Sequence, residues 1–401
     1  MAVNRTPRPA SDERPARTTS SERPPCGVSG ERPAPSAPGG HPASGEWPVL
    51  LVLRALGLGD LLTAVPALRG LRRAYPGHRL VLAAPAALAG LVPLIGAVDE
   101  LLDVPGPAPV PLCRPDVAVN LHGRGPESTA ALFRTRPGRL LTHAHLEFPC
   151  LEGPPWRQSM HEVDRWCALL RWYGIAADPA DLLLDPDALQ GRPDRPAEDL
   201  DGPVADLDGS GENPDGLGAG FDGLGADLDE LGADASEAGA WGGVVVHPGA
   251  ASGARRWPAE RFAEVAAALE RAGHHVVVTG TAAEHPLAVR VGTLAGLPAG
   301  RVLAGHTDLR GLARLVAGAR MVVCGDTGVA HLATAFATPS VVLFGPVAPA
   351  QWGPPPTGRH VALWAGRHGD PHGSRPDPGL AEIGVGAVLD AVADLLEVSV
   401  R

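Results

Sequence analysis

The apolar positions of this chain fall into short unbroken runs that alternate with longer stretches of helical spacing. WPVLLVLRALGLGD, from Trp47, reads as a buried strand running into a glycine turn. In LLTAVPALRGLRRAY, the residues Leu61, Leu62, Val65, Leu68 and Leu71 share one helical face. Residues 79–83 (RLVLA), 98–104 and 116–121 (DVAVNL) predict three further strands, and 161–173 (HEVDRWCALLRWY) a helix with Trp166 and Leu170 inside. The alternation restarts at Gly243. GVVVHPGA is a strand and turn, and PAERFAEVAAALERAG a helix opened by Pro258 and closed by Gly273. HHVVVTG, RMVVCGD and PSVVLFG are strands, with helices from about Glu284, from a Thr307 cap through Gly318, across TGVAHLATAF, and over 380–398. Buried strands alternating with helices predict parallel sheets: an α/β chain with two Rossmann-like domains facing a cleft.

Composition changes this picture at two places. The chain has 401 residues, of which 51 are glycine and 43 proline. Residues 1–46 are rich in Arg, Pro and Ser, bury little, and read as a disordered tail without the apolar stretch of a signal peptide. Residues 187–241 are Gly/Asp-rich and read as a flexible acidic insertion or linker; their spacing fits neither an EF-hand loop nor a regular calcium-binding repeat. The expected plan is therefore a tail (1–46), an N-terminal Rossmann-like domain (47–186), the acidic segment (187–241) and a C-terminal Rossmann-like domain (242–401).

The formal charge of -11 belongs to that segment, since residues 187–240 hold 15 acidic residues against two arginines. The rest is near neutral, which argues against a nucleic-acid-binding body. All 34 basic residues are arginine, so any cation a site needs is a guanidinium. Five cysteines without a CxxC pair predict neither a disulfide scaffold nor a zinc site, and fit a reducing cytoplasm. No apolar run is long enough to span a membrane.

Three strand-to-helix turns carry candidate chemistry. Gly57-Leu58-Gly59-Asp60 lacks the third glycine of a dinucleotide fingerprint. Its Asp60 is either a helix cap or a general base at the cleft mouth. Cys324-Gly325-Asp326-Thr327-Gly328-Val329-Ala330-His331 opens a helix whose first amides suit a diphosphate, with Thr327 and His331 one turn apart. Alternatively, Asp326 or Thr327 caps that helix and His331 packs in the domain wall. Arg255-Arg256-Trp257-Pro258 offers guanidinium groups to phosphate, or merely solvated arginines. Glu284 is either a ribose ligand or a first-turn residue. His122 and Arg124 line an acceptor side or close a strand end.

GLGDLLTAVPALRGLR, HPGAASGARRWPAERFAEVAAAL, HEVDRWCALL and LAGHTDLRGLARLVAGARMVVCGDTGVAHLATAFATPSVVLFGP together resemble glycosyltransferase family 9, the ADP-heptose:lipopolysaccharide heptosyltransferases. The resemblance runs from about Val49 to Trp352, interrupted by the acidic segment. It implies a two-domain glycosyltransferase-B fold and an inverting, metal-independent transfer of a sugar from a nucleotide-diphosphate donor to a glycan or lipid-linked acceptor. Asp60 maps onto the base, with Gly59, His122 and Arg124 on the acceptor side. Arg255, Glu284, Asp326, Thr327, Gly328 and His331 map onto the donor site, and no cofactor or metal is implied. The expected location is the cytoplasm, at the inner face of the cell membrane where the acceptor is lipid-linked. Arg255 stands where lysine is common in the family, and Ala250-Ala251 where some members have threonines. The competing expectations are a sugar-nucleotide epimerase or hydrolase on the same fold, and a non-catalytic nucleotide-sugar binding module. A dehydrogenase is disfavoured by the missing glycines.

Overall fold

The computed structural model describes residues 47–106, 108–189 and 241–397. The expected tail (1–46) and nearly all of the acidic segment (187–241) lie outside the described residues. Only the ends of that segment are described. Asp187–Leu189 forms a 3-10 turn with Leu189 buried, so the folded body runs past the expected boundary at 186.

The N-terminal half is a five-stranded parallel sheet: β1 (Val49–Leu53), β2 (Arg79–Ala84), β3 (Glu100–Asp103), β4 (Val117–Asn120) and β5 (Arg139–Leu141), in the order β3-β2-β1-β4-β5. Its helices are α1 (Leu58–Thr63), α2 (Val65–Ala74), α3 (Val92–Ile95), α4 (Glu127–Arg134) and α5 (Glu162–Trp172). The C-terminal half has β6 (Val244–His247), α6 (Ala259–Arg271), β7 (Val276–Val278), α7 (His285–Ala295), α8 (Leu309–Gly318), β8 (Met321–Gly325), α9 (Gly328–Ala335), β9 (Ser340–Phe344), α10 (Pro349–Trp352), β10 (His360–Trp364), α11 (Pro378–Glu382) and α12 (Val385–Glu397). Its sheet is also parallel, ordered β10-β9-β8-β6-β7.

Two such doubly wound sheets are what the alternating pattern predicts, but their orders differ. Counting within each half, the first is 3-2-1-4-5 and the second 2-1-3-4-5. Strand order therefore reverses between β1 and β4 in one half and between β6 and β8 in the other. Those switch points, at the carboxyl ends of the strands, are where open α/β sheets leave a crevice for ligands. The turn after β1 carries Asp60 and the one after β4 carries His122. The turn after β6 leads to Arg255 and the one after β8 carries Asp326.

The strands are short, and the central ones are almost wholly buried. Leu50 to Leu53, Val244 to Val246 and Met321 to Cys324 are all fully covered. One continuous cluster joins Leu61 and Leu68 of the first half to Val322, Val329 and Leu332 of the second. The two halves meet where α1 faces α9. A Cβ on Gly59 would lie 2.7 Å from the His331 ring, and one on Gly328 would lie 2.9 Å from the Leu58 side chain. Glycine at both positions is thus a condition of that approach.

Both described ends of the acidic segment rest on α8. Arg310 and Arg314 donate to the Leu189 carbonyl, and Trp241 Nε1 donates to the Leu315 carbonyl at 2.8 Å. The N-cap of α8 is Asp308, whose carboxylate accepts from Gly311 N at 2.6 Å, rather than the expected Thr307. The expected closing helix is two, α11 and α12, separated at Ile383-Gly384. Cys113, Cys167 and Cys324 are free thiols, whereas Cys150 is disulfide-bonded, so the cysteines are not all reduced. Among the described residues, no helix is long and apolar enough to cross a membrane.

Candidate active site

Asp60 sits in the third position of α1, a helix that starts at Gly57 without any side-chain cap. Its carboxylate pairs with Arg54, the residue that follows β1, and also accepts from the Gly57 backbone at the helix start. Arg54 is fully buried and is the hub of the N-terminal switch point. Its Nη2 donates to Asp60 Oδ1 at 3.0 Å, to Glu162 Oε1 at 3.1 Å and to Thr63 Oγ1 at 3.2 Å. Its Nε donates to the Asp60 carbonyl at 2.9 Å, and the guanidinium lies 4.8 Å from the Trp166 ring centre.

Glu162, in the first turn of α5, accepts from three donors: Arg54, Arg165 Nε at 2.9 Å and Trp166 Nε1 at 3.0 Å. Burial raises the Asp60 carboxyl above its ordinary value; Arg54 opposes this, Glu162 adds to it and Arg255 opposes it from the other half. Burial pushes Glu162 the same way, but Arg54 and Arg165 outweigh it and hold Glu162 below the usual range. Two neighbouring carboxylates are thus driven apart in proton affinity, a pattern found at acid–base sites.

Asp60 opens onto a cavity of about 530 Å³ lined by His122, Arg124, Trp156, Gln158, Arg165, Gln351 and Trp352, among others. His122 lies beyond β4, where Asn120 Oδ1 accepts from its backbone N at 3.1 Å. The buried Nδ1 of His122 has no hydrogen-bond partner, and burial lowers the imidazole to about 4, helped by Arg54. Gln351 and Trp352 belong to α10 of the C-terminal half. They are held across the cleft by His161, whose Nε2 lies 3.0 Å from the Gly353 carbonyl.

The C-terminal switch point is built differently. Arg256 is committed to the Ala250 carbonyl at 2.9 Å, and Trp257 packs beneath at 1% exposure. Arg255 is left with a buried Nε that has no partner among the described residues. Its charge reaches both halves, since it lowers Asp60 and Asp326 alike. Burial raises the Asp326 carboxyl, with Arg255 opposing. Thr327 is the N-cap residue of α9 in extended backbone, yet its hydroxyl makes no capping bond. The Gly328 and Val329 amides lie at a helix start, where no intrahelical acceptor exists. A guanidinium nitrogen without a hydrogen-bond acceptor among the described residues and the amides of a helix start are each features suited to an anion.

The remaining expected site residues fall elsewhere. Glu284 Oε2 accepts from Thr281 N at 2.9 Å and Thr281 Oγ1 at 3.0 Å, forming a capping box. The same carboxylate lies over Gly249, where a Cβ would come within 2.2 Å of it. Gly59 faces His331 at the contact between halves instead of lining the cavity of Asp60, His122 and Arg124. His331 borders a second groove, with His161 and Pro354 to Pro356, and its ring lies 5.9 Å from that of Trp352. Burial lowers its imidazole to about 4, with His161 adding to the effect.

Arg54 and Glu162 were not foreseen as site residues. A charged residue ending the apolar run VLLVL, six positions before an aspartate, was the available signal for Arg54. Among the described residues, no cluster of three or more His, Cys, Asp or Glu is arranged to hold a metal ion.

Residues 222–378 match the model of glycosyltransferase family 9 (heptosyltransferase). Lipopolysaccharide heptosyltransferase 2 of Salmonella typhimurium is 38% identical over 108 residues, 25% of this chain and 30% of that protein. Lipopolysaccharide heptosyltransferase 1 of Pseudomonas aeruginosa is 40% identical over 96 residues, 24% and 26% of the two chains. The matched stretch thus spans less than a third of these relatives. Among solved structures, a glycosyl transferase family 9 protein from Veillonella parvula aligns over 87% of this chain and 97% of its own, with TM-score 0.65 and 18% identity. ADP-heptose lps heptosyltransferase II of E. coli aligns over 88% and 100%, with TM-score 0.62 and 21% identity. The likeness stated from the motifs is thereby met, and the two-domain fold is that of glycosyltransferase-B enzymes.

Proposed function

We propose that this chain, heptosyltransferase-like over its C-terminal half, is a glycosyltransferase that moves a heptose from a nucleotide-diphosphate donor to a hydroxyl of a cell-envelope glycan. Asp60 takes the proton of the acceptor hydroxyl. The acceptor oxygen forms a bond to the anomeric carbon from the side opposite the diphosphate. The carbon–oxygen bond to the diphosphate breaks, its electron pair leaves with the nucleotide, and the anomeric configuration inverts. Arg255, the Thr327 hydroxyl and the first amides of α9 receive the charge that builds on the leaving diphosphate, so the reading assigns no step to a metal.

The observation that carries this reading is the buried, partnerless Nε of Arg255, whose charge reaches both Asp60 and Asp326. A buried cation left unpaired is costly unless a ligand pairs it. Donor and base then sit at facing switch points, as a direct displacement requires. In this reading the Glu284 carboxylate, fixed by Thr281 beside Gly249, takes the ribose hydroxyls.

The test is calorimetric titration with ADP and with ADP-heptose, followed by an assay of ADP release with and without a lipopolysaccharide-core acceptor. Saturable ADP binding, weakened in Arg255→Met, and acceptor-dependent release support the reading. Release that ignores the acceptor would instead indicate a hydrolase. No nucleotide binding at all would remove the donor site.

A further inference from the structure

We infer that Glu162 is a positioning residue, sharing Arg54 with Asp60 and so setting both the aim and the basicity of that carboxylate. The inference rests on reading Asp60 as the base. One guanidinium nitrogen, Arg54 Nη2, serves both carboxylates, at 3.0 Å to Asp60 and 3.1 Å to Glu162. A buried arginine paired with Asp60 alone would stabilise the carboxylate strongly and leave a weak base. Glu162 prevents this in two ways. It draws off part of the Arg54 cation, and its own charge disfavours a second anion beside it.

Glu162 is well suited to stay charged. Its side chain is 9% exposed, and its two oxygens accept from Arg54, Arg165 and Trp166. Asp60, at 26% exposure, keeps access to the cavity. The other charged or titratable groups around Asp60 are Arg255, beyond β6, and Arg124, Arg165 and the His122 imidazole, which line the same cavity; the His331 imidazole on α9 lies against the neighbouring Gly59. Burial keeps both imidazoles neutral near pH 7, so they add no charge there.

The decisive variant is Glu162→Gln, which keeps the shape and removes the charge. Its Asp60 carboxyl is titrated by NMR on 13C-carboxyl aspartate, with the Asp60 signal identified by its loss in Asp60→Asn. The expected result is a midpoint at lower pH than in the wild type. In the ADP-release assay, the acid limb of kcat moves the same way, and kcat falls roughly tenfold while KM for ADP-heptose stays within about twofold. Should Glu162→Gln fail to fold, Arg54→Lys takes its place. It keeps the cation but loses the planar fork, and the same split, kcat down with KM held, is expected. An unchanged or raised Asp60 midpoint in Glu162→Gln, or wild-type kcat in Arg54→Lys, would overturn the inference. If Asp60→Asn itself retains full activity, the base assignment fails instead, and the NMR midpoint still decides whether Glu162 governs Asp60.

Discussion

The two switch points face one another with opposite strategies. At the N-terminal one, the buried charges are tied together: Arg54 is shared by Asp60 and Glu162, and Glu162 is further held by Arg165 and Trp166. At the C-terminal one, Arg255 keeps a buried nitrogen without a partner among the described residues, and the Thr327 hydroxyl makes no capping bond. The first arrangement holds its geometry by itself. The second is finished only when something anionic arrives. On the proposed reading, the first would be a base aimed before its substrate binds, and the second a phosphate cradle that gains affinity from groups left unsatisfied for it.

That contrast can be broken at several points. The largest effect is expected from Asp60→Asn, which should lower acceptor-dependent ADP release by about 10²–10⁴-fold. Calorimetric ADP affinity should stay unchanged. A fall in affinity instead would place Asp60 on the donor side.

Removing the two arginines should then divide stability from binding. Arg54→Met leaves Asp60 without its ion-pair partner and takes one of three donors from Glu162, and should cost about 3–5 kcal/mol in urea unfolding. Arg255→Met should leave apo stability unchanged or slightly higher, yet weaken ADP by roughly 10–100-fold through one lost charged contact. If both variants lose stability equally, the C-terminal site is as self-contained as the N-terminal one and the comparison collapses. A smaller effect is expected at the seam between the halves. Gly59→Ala forces a methyl against the His331 ring and should cost about 1–3 kcal/mol, read as a lower thermal midpoint.

The subtlest check is pH. Burial lowers His143, His122 and His331 to about 4, below the unfolded value near 6.5. The unfolded chain therefore binds more protons in that window, and these groups make stability fall as pH drops from about 6.5 to 4. Asp60 and Asp326, both raised, work the other way. His143 is 4% exposed and packs beside Trp156 and Trp166. Measured as urea midpoint against pH, His143→Phe should flatten part of the acid decline.

What the sequence makes legible follows from the range of each interaction. Strands built from four or five buried aliphatics and closed by a glycine turn declare themselves locally, as Val49–Leu53, Val244–His247 and Met321–Gly325 do. Arg139–Leu141 has only three residues, and His360–Trp364 is a half-buried edge strand among prolines and glycines, so neither stood out. Asp60, Arg255 and Thr327 were legible because each lies at a strand-to-helix turn. The Arg54–Glu162 pair was not, because its partners are 108 positions apart and each looks ordinary alone. Glu284 shows a signal that was present and passed over: Thr281-Ala-Ala-Glu284 is the spacing of a capping box.

The placement of Gln351 and Trp352 bears on how such enzymes diversify. These two residues come from the C-terminal half, but they wall the cavity that opens on Asp60, latched there through His161 and the Gly353 carbonyl. The halves are therefore not interchangeable cassettes. A chimera that took a new N-terminal half would inherit the old wall. The latch at His161 ties that wall to the N-terminal half.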